Sequence, residues 1–399
     1  MVSLSSIKQI PAFQLIILLG IVSLFGDMVY EGCWSVAGPY LLFLGASAFT
    51  VAFVAGFGEF IGYAARLVSG YFADRTRSYW TFAIIGYLMI GAIPLLVFAG
   101  SWEAAAILIL VERLGKGIRS PAKDTILSHA SRQVGRGLGF GIHEAIDQIG
   151  AVLGPLIFAA SIAASGGYKE GFALLAVPFI LLVATLILAY RKVPDPVSLE
   201  ESGNNQGPVE VDQISRIMLP YGTFTVLTMA GFAVFPLIAY HLSATSVVPA
   251  AQIPVFYAIA MAADAFFALA IGRFYDRIGI SVLCIVPLVN IPIVFLAFSG
   301  GYYFALAGAV LWGLSMGAQE TILRAALADL TSLNKRGTAY GIFNTLYGGA
   351  WFAGSIVLGW LYEMDLRVLI GYSIFMQVAA MGAFFWLYRS IQPATTEPK

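Results

Sequence analysis

Charge is scarce in this chain. Lys, Arg, Asp and Glu make up 11% of its 399 residues, where a water-soluble domain carries about 25%. So few charges cannot cover a water-facing surface, and the 59% hydrophobic share places the protein in a bilayer. Cysteine is nearly absent. Cys33 and Cys284 both lie in apolar runs, which excludes a disulfide framework and thiolate metal spacing. Neither sign of charge dominates, with 22 basic and 22 acidic residues, so no basic footprint for nucleic acid exists. No Walker-type phosphate loop is present, which leaves ATP-driven pumping unsupported and implies no cofactor.

What the chain has is apolar runs. A spanning helix needs roughly 20 mostly apolar residues, and twelve candidates lie near 12–34, 48–69, 79–100, 104–126, 138–163, 170–190, 217–240, 251–271, 280–299, 302–323, 338–361 and 367–388. The fourth, fifth and tenth are interrupted by polar residues. The first is expected to stay as a span, because no small-residue cleavage site follows it. Between the sixth and seventh runs, residues 191–216 are polar, acidic in the middle and contain three prolines. They read as a water-exposed linker, giving an N-terminal six-helix bundle over 1–190 and a C-terminal one over 217–399. Arg75, Arg77, Arg191, Lys192, Arg273, Arg277 and Arg389 then share one side of the membrane, against only Lys169 and Arg367 on the other. The positive-inside bias puts both termini and the linker in the cytoplasm, the protein being multi-pass in the inner (plasma) membrane.

The two halves repeat one another. Gly70-Tyr-Phe-Ala-Asp74-Arg75-Thr-Arg77 returns as Gly272-Arg-Phe-Tyr-Asp276-Arg277-Ile-Gly279. Asp124-Thr-Ile-Leu127 matches Glu320-Thr-Ile-Leu323, and Gly154 falls opposite Gly354, with offsets between 196 and 202. Paired halves in a membrane protein are the usual architecture of a secondary transporter.

On these residues the chain resembles the major facilitator superfamily along nearly its whole length. That family's loop pattern is G-x-x-x-D-R/K-x-G-R/K. Gly70, Asp74 and Arg75 match it, while the second glycine is replaced by Arg77; the second copy keeps it as Gly279. The resemblance implies an all-α fold of twelve transmembrane helices in two six-helix bundles related by a pseudo-two-fold axis. It also implies alternating access, with spans 1, 4, 7 and 10 lining a central cavity, and no enzymatic activity. The loops containing Asp74, Arg75, Arg77, Asp276 and Arg277 are expected to act as gates, since carboxylate–arginine bonds at helix ends can lock two half-bundles. The phrase from Phe25 to Gly32 and the stretch from Arg113 to Pro155 are similar to a prokaryotic branch related to nickel-resistance exporters. Gly154-Pro155 resembles an element of the family's exporters.

Ionisable residues at membrane depth are costly and mark function. Asp27 and Glu31 share one face of the first span. Glu112, Lys116, Arg119 and Lys123 form a stripe on the fourth, flanked by Arg113, which resembles the family's proton-linked arginine. The fifth span carries His143-Glu144-Ala-Ile-Asp147, with the one side chain that titrates near neutral pH. Asp27, Glu31, Arg113, Lys116, His143, Glu144 and Asp147 are therefore the candidates for proton coupling or substrate contact. His143, Asp147 and Asp27 are the candidates for holding a metal. The second half is poorer in charge; there Asp264, Gln319 and Asn344 stand out. Tyr347, Trp351, Trp312 and Tyr240 are aromatics that can line a cavity.

The expected activity is proton-coupled efflux of a small or drug-like solute by a monomer. Divalent cation efflux and organic anion transport, the latter through Arg113, Lys116 and Arg119, stand as alternatives. An intramembrane zinc enzyme is remote. His143-Glu144-x-x-Asp147 lacks the second histidine of H-E-x-x-H, and only His129 and His241 remain elsewhere.

Overall fold

The computed structural model describes residues 11–199, 214–331 and 336–391, so most of the expected linker, residues 200–213, lies outside the described residues. Among them the chain forms twelve helical rods and no strand. These are α1 (Pro11–Phe43), α2 (Ala48–Thr76), α3 (Tyr79–Leu88, continued by 3₁₀ turns Met89–Ala92 and Pro94–Phe98), α4 (Trp102–Val134), α5 (Arg136–Ser165) and α6 (Tyr168–Leu174 with Ala176–Lys192). The second set is α7 (Ile214–Ala230 and Phe235–Ala244), α8 (Ile253–Ile278), α9 (Gly279–Cys284 as 3₁₀, then Ile285–Ala297), α10 (Tyr302–Ala318, Gln319–Leu323 and Arg324–Leu330), α11 (Arg336–Met364) and α12 (Leu366–Ile391). A bilayer admits such rods because a helix satisfies its own backbone polar groups.

Eight stretches are long and apolar enough to cross a membrane by composition alone, one of them, Ala250–Ala297, covering both α8 and α9. The remaining spans are α4, α10 and α11. The charges of α4 dilute its apolar run, and α10 is interrupted within the span: its Gln319–Leu323 segment widens into a π turn. The run read as one span at 217–240 is also interrupted, with α7 unwound between Ala230 and Phe235. Pro236 opens the second segment, where its missing N–H costs nothing.

The rods group into two compact units. One holds α1, α2 from Ile61 onward and α3–α6; the other holds Ala46–Phe60 with α7–α12. In the second unit the rings of Phe53 and Phe57 pack on Phe352 of α11 at 5.4 and 5.3 Å.

Each unit repeats one close helix contact. Gly154 of α5 lies directly against the backbone of Met28 and Gly32 on α1, and Gly354 of α11 lies directly against that of Ala230 on α7. A Cβ at either position would collide with main chain. Small residues at such crossings let backbones approach where no hydrophobic drive operates. The signature loops are paired too: Gly70 sits beside Pro121 of α4, and Gly272 beside Thr321 of α10. Caps end several rods. Ser101 accepts from the Ala104 N–H at the start of α4. Asp365 accepts from the Arg367 N–H at the start of α12, a bond that holds its carboxyl below the usual range.

Candidate functional site

The first unit gathers its buried ions around one ring, Tyr30. Residues 23, 27, 30, 31 and 34 fall on one face of α1, since a helix returns to the same side after three or four residues. Lys116 Nζ lies 4.5 Å from the centre of the Tyr30 ring, and the guanidinium carbons of Arg113 and Arg119 lie 5.3 and 5.2 Å from it. Arg113 also stacks over Trp34 at 4.3 Å, and Arg119 over Tyr87 at 5.2 Å. A cation over an aromatic face gains about 0.5–2 kcal/mol, more as water is removed. The counter-charge is Glu112, 1% exposed. It accepts from Arg113 Nε at 2.7 Å and lies 3.5 Å from Arg119 Nη1. The stripe on α4 is thus partly a salt-bridge knot, and its anchor is the adjacent pair Glu112–Arg113 rather than a run at helical spacing.

Lys116 also faces an acidic cluster. Asp27 is 8% exposed, and its charged neighbours are Asp147, Glu31 and Lys116. Asp147 is within electrostatic reach of Lys123, Glu144, Asp27 and Lys116. Lys123 in turn pairs with Asp124 at 3.4 Å. His143 is 2% exposed. Its Nε2 lies 3.0 Å from Ser23 Oγ, which is itself 3.2 Å from the Tyr87 hydroxyl. Glu144 faces outward and accepts from Gln148 at 3.3 Å. Ligand atoms of His143, Glu144 and Asp147 nevertheless all lie within 4.8 Å of one another.

The structure therefore brings together Asp27, Glu31, Lys116, His143, Glu144 and Asp147, with Arg113 one ring away. Sequence reading passed over Ser23, Tyr30, Trp34 and Tyr87. The first three were legible as a polar and aromatic stripe with Asp27 on α1. Tyr87 comes from α3, and no local spacing points to it.

The gating candidates sit at helix ends and are exposed: Asp74, Arg75, Arg77, Asp276 and Arg277. Arg75 Nη1 donates to Tyr71 on its own helix at 3.1 Å. Among the described residues Asp74 and Asp276 make no ion pair. Arg77 has φ 54° and Gly279, its repeat partner, φ 61°. The turn demands a left-handed residue in both copies, and the first copy meets it with arginine at a conformational cost. Asp264 packs against Gly317 of α10.

The second unit answers the ions with neutral amides. Asn290 on α9 donates to Gln377 on α12 at 3.2 Å. Ser315 on α10 donates to Asn290, and Gln319 donates to Ser315 at 2.8 Å. Gln377 donates to the Thr228 carbonyl on α7 at 3.0 Å. All five residues are buried, as a hydrogen-bonded network must be to survive there.

The family model of the Major Facilitator Superfamily matches residues 16–355. The uncharacterized protein Rv2265 of Mycobacterium tuberculosis (strain ATCC 25618 / H37Rv) is 40% identical over 94% of this chain and 93% of its own length. The uncharacterized MFS-type transporter MJ1317 of Methanocaldococcus jannaschii is 26% identical over 87% of this chain and 88% of its own. Among solved structures, a mutant of the nucleoside transporter NupG superposes with a TM-score of 0.76 at 17% identity, covering 94% of this chain and 100% of that one. At that identity the likeness speaks for the fold alone.

Proposed function

The chain belongs to the Major Facilitator Superfamily, a multi-pass membrane transporter with a small-molecule substrate, and on that premise we propose that it exports its solute from the cytoplasm in exchange for protons. The observation that carries the reading is the pairing of Asp27 and Asp147, two carboxylates within electrostatic reach of one another at membrane depth. Two such groups repel when both are charged, and one proton held between them removes the repulsion. Lys116 is in reach of both and favours the ionised form, so the pair has two states whose balance a conformational change can tip. Tyr87, Ser23 and His143 form a hydrogen-bonded line, and Tyr87 is within electrostatic reach of Asp147. Arg113 and Arg119 share the single carboxylate of Glu112 and lie over Tyr30, Trp34 and Tyr87, which argues for a structural and field-setting part rather than capture of an anionic substrate.

The two units work by alternating access, with the Asp74–Arg75 and Asp276–Arg277 loops as cytoplasmic gates and both termini on that side. The compound that most raises the unfolding temperature of purified protein, in a screen of heterocycles, drugs, organic acids and divalent metals, is then reconstituted in liposomes with an internal pH dye. An imposed gradient of that compound drives a pH change in the wild type and none in Asp27→Asn. Full-rate transport with no pH change, and no response to an imposed pH difference, overturns proton coupling.

One observation favours a second reading, export of a divalent cation: the convergence of His143, Glu144 and Asp147, a ligand set suited to a borderline or hard metal. Stabilisation by Ni²⁺ or Mn²⁺ that His143→Ala abolishes would establish it.

A further inference from the structure

One side of α8 is exposed, and its residues are ordered by polarity. Phe266, Leu269, Ala270, Arg273, Phe274 and Arg277 line one open groove of about 380 Å³. They recur at three- and four-residue steps, so a single helix presents them along one side. Phe266 and Leu269 are each 68% exposed, and both arginines are exposed as well. The first two lie toward the middle of this 26-residue helix, while the arginines occupy its last two turns before Ile278. A helix of that length crosses the hydrocarbon of a bilayer, so the arginines stand where hydrocarbon gives way to headgroups.

Arg273 does not extend outward from that boundary. Its Nη1 donates to the Leu269 carbonyl at 3.5 Å, one turn back along the helix. An arginine at a bilayer edge ordinarily carries its head toward water; this one turns toward the apolar part of the groove. A guanidinium offers five N–H donors, and this long bond occupies one. Arg277 follows one turn on, about 6 Å along the axis. Among the described residues neither arginine makes an ion pair, not even with Asp276 between them. The repeat sharpens the point. Where the second unit has Arg273 the first has Tyr71, whose hydroxyl accepts from Arg75 Nη1 at 3.1 Å. The end of α2 thus provides its arginine with a partner, and the end of α8 sets two arginines side by side without a counter-ion.

We propose that this groove holds one anionic phospholipid, with its phosphate between Arg273 and Arg277 and one acyl chain along Phe266, Leu269 and Ala270. A phosphate takes the guanidinium fork in two parallel bonds, and the arginines lie at the depth where a bilayer carries its own phosphates. Basic grooves beside membrane helices attract acidic headgroups. A free phosphate ion would leave the apolar end of the groove uncovered, and a zwitterionic lipid brings its own cation toward the arginines. The site faces the surrounding bilayer and is independent of the exchange reaction proposed above.

The test is native mass spectrometry of the purified full-length chain in detergent, stripped of lipid and then titrated with phosphatidylglycerol or with phosphatidylcholine of the same acyl chains. The wild type retains one phosphatidylglycerol under conditions that remove phosphatidylcholine. Arg273→Gln weakens retention about tenfold, and Arg273→Lys, which keeps the charge without the fork, falls between. Ala270→Trp fills the groove with both arginines in place and also weakens retention, so the outcome does not hang on one variant folding. Arg389→Gln removes an exposed arginine from the last turn of α12 and leaves retention at the wild-type level. Equal retention of the two lipids overturns the proposal, as does an equal loss in Arg389→Gln and Arg273→Gln, since either reduces the effect to general surface charge. Full retention in Ala270→Trp overturns it too, and so does displacement of the lipid by millimolar inorganic phosphate, which would make the groove an ion site. No gradient or solute enters the measurement, so proton coupling stands or falls separately.

Discussion

The two units share a repeat but fill their interiors with opposite chemistry. In the first, Asp27, Asp147, Arg113, Lys116 and Arg119 surround Tyr30, with Glu112 paired to the two arginines. In the second, Asn290, Gln377, Ser315 and Gln319 join by neutral hydrogen bonds. Charge responds to a proton; an amide does not. A duplicated scaffold has thus separated a half that holds titratable groups from a half with a fixed pattern of dipoles.

The contrast predicts a graded series. Glu112→Ala breaks it most severely, because Arg113 and Arg119 lose their carboxylate while buried; one-sided loss of a buried pair costs about 3–5 kcal/mol. The variant's unfolding temperature in detergent falls far below the wild type's. Asn290→Leu removes the centre of the amide network, leaving Gln377 Oε1 without its donor and the Ser315 hydroxyl without its acceptor, at about 1–3 kcal/mol, so its fall is smaller. Equal losses in both variants would dissolve the energetic distinction between the units.

The third pair tests what the units hold in common. Gly154→Leu and Gly354→Leu meet main chain in equivalent crossings, so each lowers the yield of folded protein to a similar degree. A tolerated substitution at one of them would end the equivalence. The smallest effect lies in the signature loops. Arg77→Gly relieves a positive-φ residue and stabilises by about 0.4–1 kcal/mol, whereas Gly279→Arg forces a side chain into a region, φ 61° and ψ −145°, that essentially only glycine occupies, at about 1–3 kcal/mol. A lowered unfolding temperature for Arg77→Gly would show that the arginine side chain contributes more than its backbone costs.

Much of this was legible in the sequence for a physical reason. A repeated constraint leaves repeated residues: the loop glycines, the Asp-Arg pairs and Gly154 with Gly354 recur because each copy meets the same steric demand. Buried charge was equally plain, since an ion in an apolar run is conspicuous. The amide network was not. Asn290, Ser315 and Gln377 come from three helices, and nothing in one helix's spacing signals a bond to another. The unwound stretch of α7 carries only Gly231 and a later proline as warning, and the π turn of α10 carries none. Tyr30 was hidden differently: one tyrosine among 19 is ordinary until three cations are seen around it.

Proton coupling is tested most directly by proton flux and solute flux measured together in liposomes, in the wild type and Asp27→Asn, with the compound that most raises the unfolding temperature of the purified protein as solute. The account predicts that a gradient of that compound drives a pH change in the wild type. Asp27→Asn still exchanges the compound across the membrane but moves no protons. Proton movement at the wild-type rate in Asp27→Asn would contradict it.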